Sequence, residues 1–296
     1  MGAAIDLPYL DIPALLHRHG LSPSKGLGQN FLIDEHYLKL ITQKADISAD
    51  DAVLEVGAGV GNLTRRLAQN ANIVVAVEKD LKIIPILNEV VREYGNIRIV
   101  AGDILQLDPQ QMMQKDGYIA AANIPYYITS ALLRHLLEAP LKPSRMVLTI
   151  QVEVARRICA NPGELSLLAL SVQVYGKPQI VLDIPASAFY PLPKVNSAVL
   201  RVNLYPQPLI QPELLDDFFH LTKAGFSQKR KMLHNALCAG LGWPKNAVTD
   251  LLASASIDSR RRAQTLSLAE WHSLTANYQA IKSTISSEVS NHGKVT

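Results

Sequence analysis

Glu55-Val56-Gly57-Ala58-Gly59-Val60-Gly61-Asn62-Leu63-Thr64 is the stretch whose reading decides the fold. It follows an apolar run at 52–56 and opens a segment, 63–70, whose apolar residues repeat with helical spacing. Strand, glycine turn and helix in that order form the first unit of a doubly wound α/β sheet. Glycine lets the backbone turn sharply and approach a ligand with no Cβ in the way. A plain tight turn is the simplest reading. A dinucleotide site is the next, but its fingerprint is GxGxxG, whereas the spacing here is GxGxG with Asn62 following Gly61. Glu55 stands two residues before the first glycine, and a carboxylate suits a ligand bearing an ammonium and a sulfonium better than a pyrophosphate. The turn therefore favours S-adenosylmethionine over NAD.

Working outward, the runs at 73–78, 97–100, 118–122 and 146–151 are almost continuously apolar, as parallel strands covered on both faces require. Helical patterns such as 81–94 alternate with them, which argues for an open parallel sheet. The run 195–204 alternates apolar and polar residues and reads as an antiparallel strand at the sheet edge. Glu78 ends the second strand, where a carboxylate can accept both ribose hydroxyls of NAD or of S-adenosylmethionine. Asp103 follows the third strand. It reads either as an acceptor for the cofactor's adenine amino group or as a helix N-cap.

Asn123-Ile124-Pro125-Tyr126 follows the fourth strand. Alone, such a string is more often a turn. In register with the glycine turn it suits one chemistry. The N6 lone pair of adenine is delocalised into the ring, so the amine is a poor nucleophile. Two acceptors aimed at its N–H groups, the Asn123 side-chain oxygen and the Pro125 carbonyl, can draw it toward tetrahedral geometry. Their dipoles would also stabilise the positive charge that develops on N6. Tyr126 can stack on a flipped base.

In this order the motifs resemble the rRNA adenine N6,N6-dimethyltransferase family, most closely its bacterial small-subunit (16S) branch. The resemblance runs from about residue 18 to 280. It is carried by SKGLGQNFL at 24–32, the glycine turn, VEKD at 77–80, Gly102-Asp103 and the Asn123 tetrapeptide. It continues through QVEVARR at 151–157, FYPLPKVNS at 189–197, FSQKRK at 226–231 and RAQTLSL at 262–268. It implies a class I methyltransferase fold (Rossmann-like) with a small all-helical C-terminal domain. It implies dimethylation of two adjacent adenosines in the 3′-terminal hairpin of small-subunit rRNA, within an assembling 30S particle. Gln29, Asn30, Leu32, Glu55, Gly57, Gly59, Gly61, Glu78, Asp103 and Asn123 would hold S-adenosylmethionine. Phe189 would complete an aromatic clamp with Tyr126, although by itself it reads equally as a core aromatic. The chain departs from the family pattern in a shortened loop at 161–166, in Asn196 and Gln264 where acids are common, and in Ile124. Ile124 also occurs in the branch that methylates large-subunit rRNA and confers antibiotic resistance, so that activity stays open. So do a DNA adenine methyltransferase and a ribosome-assembly or transcription factor with secondary catalysis. A dinucleotide oxidoreductase is disfavoured by the glycine spacing.

Lys223, Lys229, Arg230, Lys231 and His234 cluster about a helix expected over 228–239, and Lys25, Arg156, Arg157 and Lys194 extend the basic set. Arg260-Arg261-Arg262 forms a second cluster. Such side chains attract phosphates and make RNA binding depend on salt; a solvated helix face is the plainer reading. The 296 residues, 48% hydrophobic and 19% charged, suffice for a core, and the net charge of +3 is only mildly basic. Two distant cysteines and eight histidines without ligand spacing suggest no metal. The N-terminus carries no secretion or myristoylation signal, and no apolar run is long enough to span a bilayer. A cytoplasmic monomer is expected. Prolines 206, 208 and 212 place a boundary between a catalytic domain (1–206) and a helical RNA-binding domain (207–283) with helices at 212–224, 228–239, 246–255 and 267–283. A flexible tail at 284–296 would follow.

Overall fold

The computed structural model describes residues 7–292, with side chains through residue 282. The Met1–Asp6 segment, read above for targeting signals, lies outside the described residues. The chain divides into two compact units. One comprises residues up to Arg156 together with Lys177–Leu204; the other comprises Arg157–Gly176 and the chain from Tyr205 onward.

The first half of the chain runs α1 (Ile12–Arg18), β1 (Phe31–Leu32), α2 (Glu35–Ala45), β2 (Ala52–Val56), α3 (Asn62–Ala68), β3 (Ile73–Glu78), α4 (Ile84–Val91) and β4 (Ile97–Ala101). It continues with α5 (Pro109–Met112), β5 (Ile119–Asn123), α6 (Thr129–Glu138), β6 (Arg145–Gln151) and α7 (Val152–Ile158). Then come α8 (Leu167–Gln173), β7 (Gly176–Ile184), β8 (Phe189–Tyr190) and β9 (Ser197–Leu204). The main sheet has seven strands in the order β4-β3-β2-β5-β6-β9-β7. Neighbours from β4 to β6 are parallel, and β9 is antiparallel to β6. Leu38, Ile41, Leu63 and Leu67 of α2 and α3 bury one face with Val53, Ile119 and Val147. Leu87 and Val91 of α4 pack with Ala76 elsewhere in the fold. The expected doubly wound sheet is thus observed, and the five runs read as parallel strands form β2 to β6. The antiparallel strand lies one place in from the edge, because β7 flanks it.

In the second unit, α9 (Leu215–Phe226), α10 (Leu233–Leu241), α11 (Lys245–Ser254) and α12 (Leu268–His292) surround buried Phe218, Leu237, Leu252 and Trp271. Gly240 lets α10 meet α9 closely, since a Cβ there would lie 2.6 Å from Ala224. The unit also takes in Arg157–Gly176, which the expected boundary assigned to the catalytic domain. The reason is local bonding. Gly163 N–H donates to the Gln264 carbonyl at 2.9 Å, Tyr205 N–H donates to the Tyr175 carbonyl at 2.9 Å, and Tyr175 stacks on Phe219. The helix expected over 228–239 begins only at Leu233: Met232 is extended (φ −62°, ψ 149°), and Leu233 N–H is taken by the Arg261 carbonyl. The expected tail is helical to His292, and its last four residues lie outside the described residues.

Candidate active site

The cleft opens at the C-terminal ends of β2, β3 and β5. Gly57, Gly59 and Gly61 all have positive φ, at 74°, 56° and 88°, a region glycine enters without strain. Two of them also have crowded neighbours. A Cβ on Gly59 would come 3.1 Å from the Phe31 ring, and one on Gly61 2.9 Å from Leu87 Cδ1. The first glycines therefore shape the cleft, and Gly61 lets α3 sit against α4. The Gly59 N–H donates to Glu78 Oε2 and the Asp80 N–H to Glu78 Oε1, both at 2.7 Å. Burial pushes the Glu78 carboxyl above the usual range, although these two donors oppose the effect.

Glu55 is only 1% exposed, and its Oε2 has no hydrogen-bond partner among the described residues. Burial outweighs the neighbouring Thr64 hydroxyl, which acts the other way, and with the Glu78 charge adding to it pushes the carboxyl up to about 8. An unsatisfied buried carboxyl is costly. Lining the cleft as it does, it fits a ligand that brings a cation. Asp103 sits at the mouth, where its salt bridge to Lys79 (2.7 Å) holds its carboxyl below the ordinary range. Asp103 also accepts the Leu105 N–H at 3.1 Å, which closes a turn and caps no helix: the next helix, α5, has Asp108 as its N-cap.

The Asn123 Nδ2 donates to the Asn30 carbonyl at 3.0 Å. That bond fixes the flip of the amide and leaves Oδ1 as its free acceptor. The Pro125 carbonyl takes the Ile128 N–H at 3.1 Å and keeps a second lone pair. Tyr126 is half-buried, with its phenol oxygen 2.7 Å from Ser197 Oγ. Gln29, Asn30, Leu32, Glu55, Gly57, Gly59, Glu78, Asp103, Asn123, Pro125 and Tyr126 line the one cleft, whereas Gly61 lies behind it, against Leu87 of α4.

Phe189 does not. It pairs with Leu32 across the β1–β8 ladder and is 4% exposed in a core with Leu38, Ile41 and Val53. The expected clamp with Tyr126 is not formed, because strand pairing turns this ring into the core. Gln29 also differs from expectation: both ends of its amide are engaged with protein, Nε2 to Asp80 and Oε1 to the Ser24 N–H. Residues not singled out in the sequence hold the frame. Asn62 Nδ2 donates to the Leu32 carbonyl at 2.9 Å, and buried Arg65 joins Asn62, Glu35 and the Pro8 carbonyl. Tyr127, 62% exposed, lies against Gly28 at the rim; its place beside Tyr126 was the available signal.

Among the basic residues, Arg157, Lys223, Lys229 and Lys231 line one cavity of the helical unit together with Ser166, Phe226 and Gln264. Arg230 is exposed in the adjoining turn. Lys25 and Lys194 are exposed on the first unit, and Arg156 there pairs with Glu153. The Arg260–Arg262 cluster is largely structural. Arg260 pairs with Asp258, and Arg261 clasps Glu270 and the Thr265 carbonyl. The two departures at 161–166 and 264 meet each other: Gln264 Nε2 donates to the Gly163 carbonyl at 2.9 Å, which a glutamate could not do. Among the described residues there is no cluster able to hold a metal, and no helix is long and apolar enough to cross a membrane.

A seven-stranded sheet of this order, with the glycine turn, acids and Asn123 at its carboxyl ends, defines a class I methyltransferase. The family model described as ribosomal RNA adenine dimethylase matches residues 21–279. "Ribosomal RNA small subunit methyltransferase A" of Dehalococcoides mccartyi (strain CBDB1) is 46% identical over 266 residues, covering 89% of this chain and 91% of that protein. Among solved structures, a dimethyladenosine transferase from Plasmodium falciparum superposes with a TM-score of 0.73 at 26% identity, covering 83% of this chain and 96% of that one. The 23S rRNA methyltransferase ErmE superposes with a TM-score of 0.68 at 27% identity, covering 83% and 98%. The chain belongs to the ribosomal RNA adenine dimethylase family.

Proposed function

We propose that this protein transfers methyl groups from S-adenosylmethionine to N6 of two adjacent adenosines in the 3′-terminal hairpin of small-subunit rRNA, acting on an assembling 30S particle. The observation that carries the chemistry is the pinned Asn123 amide, whose Oδ1 is left to accept from an amine. The small-subunit assignment is supported by the relatives at up to 46% identity, against 27% for the large-subunit enzyme.

The cleft fits the cofactor. Glu55, buried and unsatisfied on one oxygen, would take its ammonium. Glu78, held by two backbone donors, retains lone pairs for a ribose diol. Asp103 would accept the adenine amino group, with Lys79 turned aside. Asn30 and Leu32 supply the cleft's N-terminal wall. When bound, the cofactor supplies an electrophilic methyl group on a sulfonium. The chain's own contribution is positioning and dipoles. Asn123 Oδ1 and the Pro125 carbonyl orient the amine, and Tyr126 presents its ring to the base. Arg157, Lys223, Lys229, Arg230 and Lys231 would grip phosphates, with Lys25, Arg156 and Lys194 adding charge.

Purified protein, labelled cofactor and four substrates test the proposal: unmodified small subunits, large subunits, naked rRNA and duplex DNA. Label should enter small subunits and digest to N6,N6-dimethyladenosine. Label confined to large subunits or DNA would assign the protein to another branch.

A further inference from the structure

The segment carrying Gln29 and Asn30 reaches the catalytic tetrapeptide through one bond and the sheet through another. Asn30 offers its carbonyl to Asn123 Nδ2 at 3.0 Å. Gln29, one residue earlier, donates from Nε2 to Asp80 Oδ2 at 2.9 Å and accepts the Ser24 N–H on Oε1 at 2.7 Å. Asp80 is itself held: its N–H binds Glu78 Oε1, and its Oδ1 accepts the Lys82 N–H at 3.1 Å. Glu78 in turn holds Gly59. A continuous hydrogen-bonded path thus runs from the glycine turn through Glu78, Asp80 and Gln29 to the Asn30 carbonyl that orients Asn123.

The other hydrogen bonds of the 24–29 turn stay inside it, apart from the Gly28 carbonyl, which accepts Asn30 Nδ2 at 3.1 Å and so ties Asn30 to the turn but not to the sheet. Leu27 N–H reaches Ser24 Oγ, Gly28 N–H reaches the Lys25 carbonyl, and Gln29 N–H reaches the Ser24 carbonyl. Beyond Asn30, the chain is anchored by β1–β8 pairing and by Asn62 on the Leu32 carbonyl. The Gln29–Asp80 bond is therefore what sets the near side of Asn30. The amide of Asn123 has two flips, and only one is productive. Its Oδ1 facing the Asn30 carbonyl would be acceptor against acceptor, and its NH2 would then face the substrate amine, which offers no acceptor to it.

We propose that Gln29 and Asp80 are positioning residues for methyl transfer, holding the Asn30 carbonyl where it selects the productive flip of Asn123. The proposal rests on the reading of Asn123 as the acceptor for the substrate amine. Neither residue touches the reacting atoms. Each acts through Asn30.

The test uses the full chain and unmodified small subunits. Gln29→Glu sets a carboxylate against Asp80, and Gln29→Ala removes the bond without adding charge. Each should lower kcat by about tenfold to a hundredfold, as small misplacements at a reacting centre do. Cofactor affinity, by calorimetry, should change less than about threefold, and circular dichroism should show an intact fold. The exchange Gln29→Glu with Asp80→Asn reverses the donor and should restore kcat to within about threefold of wild type. In an Asn123→Ala background, Gln29→Ala should lower the residual rate no further. Loss of cofactor affinity with kcat intact would overturn the proposal, as would failure of the exchange to restore turnover in a folded protein. If Asn123→Ala itself turns over at the wild-type rate, the reading of Asn123 fails as well. If only the Gln29 variants are fully active, the positioning role alone fails.

Discussion

The cleft of the first unit and the 227–232 turn of the second hold their polar groups in opposite ways. In the cleft, Glu55 and Glu78 are buried, Asn123 is tied to Asn30, and Tyr126 to Ser197. In the turn, Lys229, Arg230 and Lys231 stand in solvent, and the backbone is fixed instead, by Lys231 N–H on the Gln228 carbonyl and Leu233 N–H on the Arg261 carbonyl. A reacting amine must be placed to within fractions of an ångström, which calls for side chains with one available geometry. A phosphate backbone is a diffuse charge, which long side chains can follow in many rotamers. Single substitutions should therefore act steeply in the cleft and gradually in the turn.

The sharpest contrast is expected at Asn123. Asn123→Ala should lower kcat by about a hundredfold to a thousandfold, as loss of one preorganised polar partner at a developing charge does. Cofactor affinity should stay within a few fold, and a kcat within threefold of wild type would break the distinction.

Glu55→Gln follows. Losing the charge-assisted contact should weaken cofactor binding by about tenfold to a hundredfold. The cofactor-free protein should behave the other way. The Glu55 carboxyl is raised to about 8 in the fold, from an ordinary value of 4.5. Below pH 4.5 both the folded and unfolded forms are protonated. Between those values the unfolded chain ionises and the folded one does not, so stability falls as pH rises, by at most ~1.4 kcal/mol per pH unit. The Tm advantage of Glu55→Gln should widen from pH 5 to pH 8, and a pH-independent gap would contradict this account of Glu55.

In the turn, Lys229→Ala and Arg230→Ala should each weaken small-subunit RNA binding a few fold and flatten the slope of log affinity against log salt by about one. Cofactor affinity should not move. Unchanged slopes would remove these residues from the interface. The smallest effect is expected at Gln264→Glu, which deletes the donor to the Gly163 carbonyl. It should lower stability by about 1 kcal/mol in urea denaturation while leaving kcat on small subunits unchanged.

Most of the first unit was legible because β2, β3, β5 and β6 are buried on both faces and therefore read as apolar runs, and because positive φ at Gly57, Gly59 and Gly61 demands glycine; β4, at the sheet edge, is part-exposed although its run reads alike. β7 was not legible. It begins Gly176-Lys177-Pro178, its residues are mostly part-exposed, and proline at a strand start is an edge feature that weakens the pattern. Phe189 was misplaced because its partner is set by pairing with Leu32, a contact between residues distant in sequence. The residues 228–232 have helical composition, yet Leu233 N–H is captured by Arg261, and no local signal announces that bond. Gln29 was found as a cleft residue, but its role depends on Asp80, fifty-one positions away. The Arg157–Gly176 segment moved to the helical unit for the same reason, through Gln264 and Tyr205.

The most direct measurement incubates purified protein with small subunits lacking adenine methylation and labelled S-adenosylmethionine, then maps the modified nucleosides by mass spectrometry. The account predicts N6,N6-dimethyladenosine at two neighbouring positions of the 3′-terminal hairpin, absent with Asn123→Ala. Methylation at another atom or another RNA, or none with folded and cofactor-loaded protein, would contradict it.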